Sequence, residues 1–371
     1  MKKILVILLC IAMVTGIIFS GCSNSGSSTS DVSDDTKQNA GNIATLLTTT
    51  LGDKSFCDSC WAGLNEIKDK YGVEIDYFEM NSDQTKAIPA LTEFAESGEY
   101  GLIVSGGQTT IEDAQTVIEA FPNQKFIHYD ADVQDSENGL YANAFSIKYK
   151  QNEGSYLVGW LAGKLTNTGT IATFGVSEID VIWDFVYGYL EGAKAARNDI
   201  KVITSFVGSK EDVVKAKDLA NDAMLLNADV LFQVAAGAGA GVFEAILESG
   251  RKNIWAIGVD SDQYAQYKED GNMDTANIIL TSMVKDIGNS LIWAYDKEVA
   301  GTLEWGTNTT VGVAEDAVGP AESGPFLQLD KDLLDEYTQI KADVASGKTV
   351  VSTAFGHSLE EQRAFANTFR P

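Results

Sequence analysis

The chain has 371 residues, of which 53 are acidic and 27 are Lys or Arg, so its formal net charge is −26. A surface this acidic repels phosphate, which excludes a nucleic-acid partner and an unmodified polybasic membrane binder. The 44% apolar and 22% charged residues are typical of a globular protein, and the length allows one large domain or two ordinary ones.

The first 40 residues have the composition of a targeting segment followed by a tether. Two lysines precede an almost wholly apolar run at residues 4–19, which is short for a membrane span and normal for a secretory signal. The sequence Phe-Ser-Gly-Cys that ends at Cys22 resembles the bacterial lipobox, whose cysteine receives diacylglycerol. We expect a signal peptide at 1–21, a lipid on Cys22 and a polar tether at 22–40. The alternative is an uncleaved N-terminal membrane anchor.

From residue 42 onward, short apolar strands alternate with helices of 3.6-residue periodicity. In the first half we predict strands at 43–49, 73–78, 102–105, 125–129 and 142–147, and helices at 55–71, 85–97 and 111–121. In the second half we predict helices at 154–165, 179–196, 210–226, 241–249 and 284–300, and strands at 170–176, 201–206, 230–234, 255–259 and 278–282. A tail adds a helix at 331–345 and a strand at 349–352. The alternation predicts an α/β protein with two Rossmann-like lobes built on parallel sheets.

Few residues stand in catalytic or metal-binding patterns. His128 and His357 have no Cys or His partner at metal-ligand spacing, and the sequence contains neither a nucleophile elbow nor a P-loop. We therefore expect no metal, no cofactor and no catalytic residue, and hence no enzyme.

Cys57 and Cys60 are the two cysteines left for the folded part, because Cys10 lies in the signal and Cys22 would carry the lipid. They form a C-x-x-C motif at a predicted helix N-terminus, where a thiolate is favoured, so an extracytoplasmic dithiol oxidoreductase is one hypothesis. Trp61 follows the motif, whereas thioredoxin-like motifs place Trp before it. We favour a local disulfide or two reduced packing thiols.

Two loops follow strands at the sheet edge where parallel α/β proteins bind ligands. Asp260 directly follows an apolar strand, although such an aspartate often caps the next helix instead. Lys285 comes shortly after the next strand, so an acceptor–donor pair in a cleft is plausible. A glycine-rich turn at 237–241 either satisfies tight backbone geometry or presents bare N–H groups to a ligand.

Six segments, taken in order, resemble the basic membrane protein family, the PnrA-like lipoproteins that bind nucleosides for ABC importers. The segments are GDKSF at 52–56 with Asp58-Ser59, EGSYLVG at 153–159, Phe185 with Gly188-Tyr189 and Gly192, AGAGAGVF at 236–243, GVDSDQ at 258–263, and LTSMVK at 280–285.

The resemblance implies a type I periplasmic-binding-protein fold with two lobes joined by three crossing segments. Lobe 1 is expected at 41–147 plus 282–308, and lobe 2 at 148–281 plus 309–371. The implied function is to capture a purine nucleoside or related ligand outside the cell and deliver it to a membrane permease with its ATPase. The protein would be a monomer held on the extracytoplasmic face of the cell membrane by its lipid.

The resemblance also implies roles for individual residues. Asp53 would accept hydrogen bonds from the ligand, and Phe56 and Phe185 would stack on its base. Gly237 would offer backbone groups. Asp260 would hold the ribose hydroxyls, and Lys285 would donate to the sugar or to Asp260.

Two positions depart from the family pattern near the expected ligand. Cys57 replaces an Asn that would recognise the base, and the resemblance places Cys57 and Asp58 at the ligand. Trp183-Asp184 stand where the family often has Arg. Trp183 suits a larger ring system such as a flavin, although packing is the commoner role of a buried Trp. A sugar- or flavin-binding protein of the same fold is therefore the alternative.

Overall fold

The computed structural model of the protein describes residues 40–134 and 141–371. The predicted signal peptide, Cys22 and the tether up to residue 39 lie outside the described residues. The strands are β1 Asn42–Leu47, β2 Ile75–Glu79, β3 Tyr100–Gly106, β4 Phe126–Tyr129, β5 Ala144–Tyr149, β6 Thr170–Gly175, β7 Lys201–Phe206, β8 Val230–Val234, β9 Trp255–Asp260, β10 Ile279–Lys285, β11 Thr307–Val311 and β12 Val318–Pro320.

The α-helices connect these strands and cover their faces. They are α1 Phe56–Tyr71, α2 Ala87–Ser97, α3 Ile111–Ala120, α4 Gln151–Leu165, α5 Asp180–Ala196, α6 Val213–Leu225, α7 Ala240–Ser249, α8 Gln263–Glu269, α9 Met273–Ile278, α10 Ile287–Val299, α11 Lys331–Ala345 and α12 Leu359–Asn367.

The strands form two six-stranded sheets, each the centre of one lobe. The order is β11-β5-β4-β3-β1-β2 in lobe 1 and β12-β10-β9-β8-β6-β7 in lobe 2. Their pairings are parallel except for β10 with β12, which is antiparallel. Both lobes repeat one doubly wound order, in which the second strand lies outside the first and the third lies on its other side. The predicted fold class, two α/β lobes of the periplasmic-binding-protein type, is confirmed.

The chain crosses between the lobes three times. It leaves β5 of lobe 1 at Tyr149 and enters α4, which packs on α5 of lobe 2. It returns after Lys285, because β10 lies in lobe 2 whereas α10 packs on α1. The third crossing runs from β11 to β12.

Glycines allow α4 and α5 to pack with their backbones in contact. A Cβ atom on Gly188 would overlap the carbonyl of Asn152, and one on Gly192 would overlap the carbonyl of Tyr156. Gly159 faces the Tyr189 backbone in the same way. This close approach fixes α5, and with it Phe185, against the start of the first crossing.

The C-terminal tail differs from the sequence prediction. Residues 349–352 form no strand, so that prediction is wrong. Their backbone is held by side chains, because Asn152 Nδ2 donates to the carbonyls of Val351 and Ser352 at 3.2 and 3.1 Å. The Ser352 N–H donates to Glu191 at 2.9 Å. Backbone N–H and C=O groups that form hydrogen bonds with side chains do not need hydrogen bonds from a neighbouring strand. The sequence analysis also missed α8, α9, α12, β11 and β12.

Candidate ligand-binding cleft

A cavity lies between the lobes, at the carboxyl ends of the parallel strands. Its volume is about 90 Å³, counted as the space that the centre of a water molecule can occupy, and this is more than a single water molecule needs. Its wall in lobe 1 comprises Thr48, Thr49, Asp53, Phe56, Gly107, Gln108, Thr109 and Asp130. Its wall in lobe 2 comprises Val176, Ser177, Ile179, Val181, Ile182, Phe185, Lys210, Val234, Ala236, Val259, Asp260 and Lys285. We call this space the cleft cavity.

Asp130, Asp260 and Lys285 form a buried charged group in the wall. Lys285 Nζ lies 2.7 Å from Asp130 Oδ1 and 3.9 Å from Asp260 Oδ1. Burial raises the pKa of both carboxyls, and the lysine charge opposes that shift. Asp260 Oδ2 accepts a hydrogen bond of 2.6 Å from Ser55, whereas Oδ1 is buried with no hydrogen-bond partner among the described residues. A buried acceptor without a donor is costly, so this atom is suited to a ligand hydroxyl.

The two aspartates occupy equivalent positions in the two lobes. Asp130 follows β4 and Asp260 ends β9, and these strands hold the same place in their sheets. Both residues adopt the left-handed backbone region, with φ of 65° and 64°. The sequence analysis identified Asp260 and missed Asp130, although the signal was the same, an aspartate directly after a buried strand.

Phe56 and Phe185 bring one aromatic ring from each lobe to the cleft cavity. Phe56 begins α1 in lobe 1, and Phe185 lies on α5 in lobe 2. Lys285 Nζ lies 5.4 Å from the Phe56 ring centroid and 4.9 Å from that of Phe185. Both rings therefore border the same small space.

Asp53 lines the cavity but also organises the first turn of α1. Its carboxylate accepts from the N–H groups of Ser55, Cys57 and Asp58 at 2.9, 3.0 and 3.2 Å, and from Thr49 Oγ1 at 3.3 Å. Burial raises its pKa, and these backbone donors lower it. Much of its accepting capacity is used within the protein, which is the behaviour of a helix N-cap.

Four of the sequence-predicted site residues lie outside the cavity wall. Asp58 accepts from the N–H groups of Gly52 and Lys54 and closes the loop before α1. Trp183 is buried, with its ring 4.8 Å from that of Phe206. Gly237 lies beside Ala236, which does line the cavity. The fourth, Cys57, is buried below Asp53.

Cys57 and Cys60 are free thiols with no exposed surface. Burial raises the pKa of Cys57 to about 11 and that of Cys60 to about 12, and for Cys57 the Asp53 charge adds to the rise. The expected helix N-terminal activation does not operate, because desolvation outweighs it. Cys57 Sγ instead lies 3.0 Å from Thr49 Oγ1. Two buried, protonated thiols argue against dithiol chemistry.

Lys210 and Gln108 are cavity residues that the sequence analysis missed. Burial lowers the pKa of Lys210, while the negative charges of Asp53 and Asp130 oppose that shift. Gln108 accepts a hydrogen bond of 3.0 Å from the N–H of Val181 in the other lobe. A lysine near a helix start and a lone glutamine are ordinary surface patterns, so the sequence carried no signal for either.

Hydrogen bonds join the lobes around the cavity. Besides Ser55 with Asp260, Gln263 Nε2 donates to the carbonyl of Lys54 at 2.9 Å, and Ser261 Oγ donates to the carbonyl of Ser55 at 3.2 Å. Lys54 also pairs with Asp270. These contacts hold the two lobes closed on each other.

The two doubly wound lobes, closed over a polar and aromatic cavity, define a bilobal solute-binding protein. A solute-binding protein of an ABC transporter system from Aeropyrum pernix K1 has the same fold, with a TM-score of 0.76 at 21% identity over 87% of this chain and 98% of that one. The family model for PnrA-like ABC transporter substrate-binding proteins matches residues 40–348. The chain belongs to this family.

Two relatives extend the comparison to nearly the whole chain. The ABC transporter nucleoside-binding protein BmpA of Lactococcus lactis subsp. cremoris is 32% identical, over 95% of this chain and 99% of its own length. Basic membrane protein A of Borreliella burgdorferi is 29% identical, over 86% of this chain and 87% of its own length. The predicted family is therefore confirmed. Among the described residues, no helix has both the length and the apolar character needed to cross a membrane.

Proposed function

We propose that this substrate-binding protein captures a purine nucleoside or a related nucleoside outside the cytoplasm and passes it to an ABC permease and its ATPase. The observation that carries the proposal is the pairing of one aromatic ring from each lobe around a buried lysine–carboxylate group. The name of the Lactococcus relative, a nucleoside-binding protein, supports the same ligand class.

The two rings suit the flat base of a nucleoside. Phe56 and Phe185 come from opposite lobes, so closure brings them toward the same ligand. Stacking on aromatic side chains stabilises a bound base by about 1–3 kcal/mol and tolerates different bases. The rings therefore supply affinity for any base and select little among them.

The charged group suits the ribose. The unpaired Oδ1 of Asp260 accepts from a sugar hydroxyl, and Lys285 Nζ, 3.9 Å away, donates to a second oxygen. Hydrogen bonds to charged groups contribute about 1.5–3 kcal/mol each, roughly twice as much as neutral ones. Hydroxyl recognition thus distinguishes a nucleoside from a free base.

The charges in the wall favour a neutral ligand. The wall contains the carboxyl groups of Asp53, Asp130 and Asp260 and the amino groups of Lys210 and Lys285. A phosphate would add negative charge to a space in which acids outnumber bases, and like charges repel strongly where water is excluded. We therefore expect nucleosides to bind and nucleotides not to bind.

Isothermal titration with adenosine, inosine, guanosine, ribose and adenosine monophosphate tests this proposal. We expect at least one nucleoside to bind, with Asp260→Ala weakening it about 10- to 100-fold, as the loss of one charged hydrogen bond predicts. Asp262→Ala is the matched control, because Asp262 caps α8 by accepting from Ala265 N–H and lies outside the cavity wall. Unchanged binding by Asp260→Ala, or heat released by ribose alone, would contradict the assignment.

We also propose that Cys22 carries a lipid and anchors the protein on the extracytoplasmic face of the membrane. The lipobox-like sequence and the polar tether behind it support this anchor. Expressed in a lipoprotein-processing host, the wild type should incorporate radiolabelled palmitate and sediment with membranes, whereas Cys22→Ala should do neither. Cys57→Ser, which alters a buried thiol, is the control that should stay labelled. Labelling of Cys22→Ala would disprove the anchor.

A further inference from the structure

A second and larger space lies beside the cleft cavity, at the first crossing between the lobes. Its volume, counted in the same way, is about 750 Å³ against about 90 Å³ for the cleft cavity. Gln108 and Asp130 belong to the walls of both spaces. We call this second space the hinge groove, and its wall also includes Tyr149, Gln151, Thr310 and Phe355.

The charged side chains of the hinge groove already have partners. Lys148 Nζ lies 3.2 Å from Asp132, and Lys150 Nζ lies 3.1 Å from Glu153. Asp184 accepts from Gln151 Nε2, from Thr353 Oγ1 and from the Ala354 N–H at 2.7, 2.6 and 2.9 Å. A groove with paired charges has no ion to offer a charged ligand, so its occupant should be neutral.

Two side chains in this wall, Tyr149 and Gln151, have a buried polar atom without a hydrogen-bond partner among the described residues. Gln151 is 1% exposed, and its Oε1 has no hydrogen bond within the described part of the chain. Leaving such an acceptor unsatisfied is unfavourable, and a hydrogen-bond donor on a ligand would remove that cost. Tyr149, Val350 and Phe355 add apolar surface nearby. The wall therefore fits a group that is mostly apolar and carries a hydrogen-bond donor.

The far wall is built by residues 347–355, most of which lie beyond residue 348, where the match to the family model ends. This segment is fixed to lobe 2 through Asn152 and Asp184. One wall of the groove is therefore formed by lobe 1, and the opposite wall is formed mostly by residues that the family model does not match.

We propose that the hinge groove receives a second part of the ligand, so that the physiological ligand is a nucleoside bearing an additional uncharged, largely apolar group. This inference rests on the proposed nucleoside function. The nucleoside part occupies the cleft cavity, and the additional group extends past Gln108 and Asp130 into the groove. The base and the 5′ position of the sugar are the two points from which such a group can extend.

Titration of the purified protein with adenosine, N6-(4-hydroxybenzyl)adenosine and 5′-O-(4-hydroxybenzoyl)adenosine tests the inference, because each substituent is largely apolar and ends in a phenol donor. We expect one of the two substituted compounds to bind at least 10-fold more tightly than adenosine, and its identity gives the point of attachment. Thr310→Trp should fill the groove and abolish this gain while changing adenosine affinity less than 2-fold, since Thr310 is exposed and lies outside the cleft cavity. Thr310→Ser, which keeps the groove open, should retain the gain.

The outcomes separate the two proposals. If adenosine binds and neither substituted compound binds more tightly, the hinge groove is no ligand compartment, and the proposed function stands. If Thr310→Trp lowers the affinity for all three ligands equally, the inference is also overturned, because the groove would then have no role separate from the cleft cavity. If no nucleoside binds at all, both proposals fail.

Discussion

A single lysine connects the charged groups of both lobes. Lys285 ends β10 in lobe 2, directly before the second crossing, and its Nζ bonds Asp130 of lobe 1. It is 2% exposed, so its attraction to the two aspartates acts at low dielectric. A ligand that forms a hydrogen bond with Asp260 or Lys285 therefore also changes the ion pair between Lys285 and Asp130, which joins the two lobes.

Asp184 makes the free energy of unfolding depend on pH. Burial raises its pKa to about 6 from an ordinary value of 3.8, although three donors oppose the shift. The folded protein therefore holds this proton more tightly than the unfolded chain. The resulting stabilisation is complete below pH 3.8 and is lost as the pH rises through 6.

The variant Asp184→Asn should remove that dependence. Between pH 4.5 and pH 7, the free energy of unfolding of the wild type in urea should fall by about 2 kcal/mol relative to the variant, because the rest of the stabilisation that a shift of about two pKa units implies is lost below pH 4.5. Asp262→Asn, at a partly exposed helix cap, should follow the wild type. Parallel pH profiles of the wild type and Asp184→Asn would contradict the assignment.

Part of the cavity wall was predicted from the sequence, Asp260 and Lys285 from their places after strands, and Phe56 and Phe185 only from the family resemblance. Phe56, Phe185, Asp260 and Lys285 were all expected at a ligand, and all line the cleft cavity. Trp183 was expected there too, but it is two positions from Phe185 on α5 and packs against Phe206 instead. In a helix that is buried on most sides, which residues face a cavity depends on how the neighbouring lobe packs against the helix. The local sequence does not determine that packing.

At the scale of elements, the contact between α4 and α5 positions much of lobe 2. Helix α4 follows the first crossing and α5 carries Phe185, so their contact fixes the place of Phe185 relative to the first crossing. The glycines that allow this contact belong to the sequence segments by which the family was recognised.

Replacing Gly188 by Ala should separate the two helices. The new Cβ would meet the Asn152 backbone, which cannot move independently, so we expect a loss of about 1–3 kcal/mol in urea unfolding. Gly237→Ala is the matched control, because a Cβ there would make an ordinary contact of 3.4 Å with the Lys210 carbonyl. Equal stability of the two variants would show that the helices adjust freely.

The strands that the sequence failed to predict are those that pair at sheet edges. Strand β11 is Thr307–Val311 with only partly buried or exposed residues, and β12 has three residues. The buried central strands were predicted because their apolar runs are continuous, as parallel strands covered on both faces require. Edge strands lack that signal, and their pairing is decided by distant parts of the chain.

At the scale of the whole molecule, hydrogen bonds between the lobes hold them closed, among them those of Gln108 with Val181, Lys285 with Asp130 and Ser82 with Glu211. Ser55 contributes two of them, since its hydroxyl donates to Asp260 and its carbonyl accepts from Ser261. Lys54 adds its carbonyl contact with Gln263 and an ion pair with partly exposed Asp270. A typical hydrogen bond contributes only about 1 kcal/mol to stability, so contacts of this kind can break when the molecule opens to release its ligand.

Ser55→Ala should shift the molecule toward an open state. Losing one hydrogen bond of about 1 kcal/mol between the lobes should lower nucleoside affinity about 5-fold. Small-angle X-ray scattering without ligand should give a larger radius of gyration than the wild type. Ser97→Ala, whose hydroxyl bonds only within lobe 1 at the end of α2, should match the wild type in both measurements. A 5-fold loss without any change in scattering would assign Ser55 to the ligand instead of to closure.

The folded part begins with β1 in lobe 1, and its last helix, α12, lies on lobe 2, where Val202 N–H donates to the carbonyl of Phe369 just after that helix. An anchor upstream of Asn42 would therefore fasten lobe 1 alone. Lobe 2 would be the half that swings on its three crossings, carrying the C-terminus with it. A fluorophore fused after Pro371 would travel with that swing, so its distance from one on lobe 1 would report each capture as a change in energy transfer.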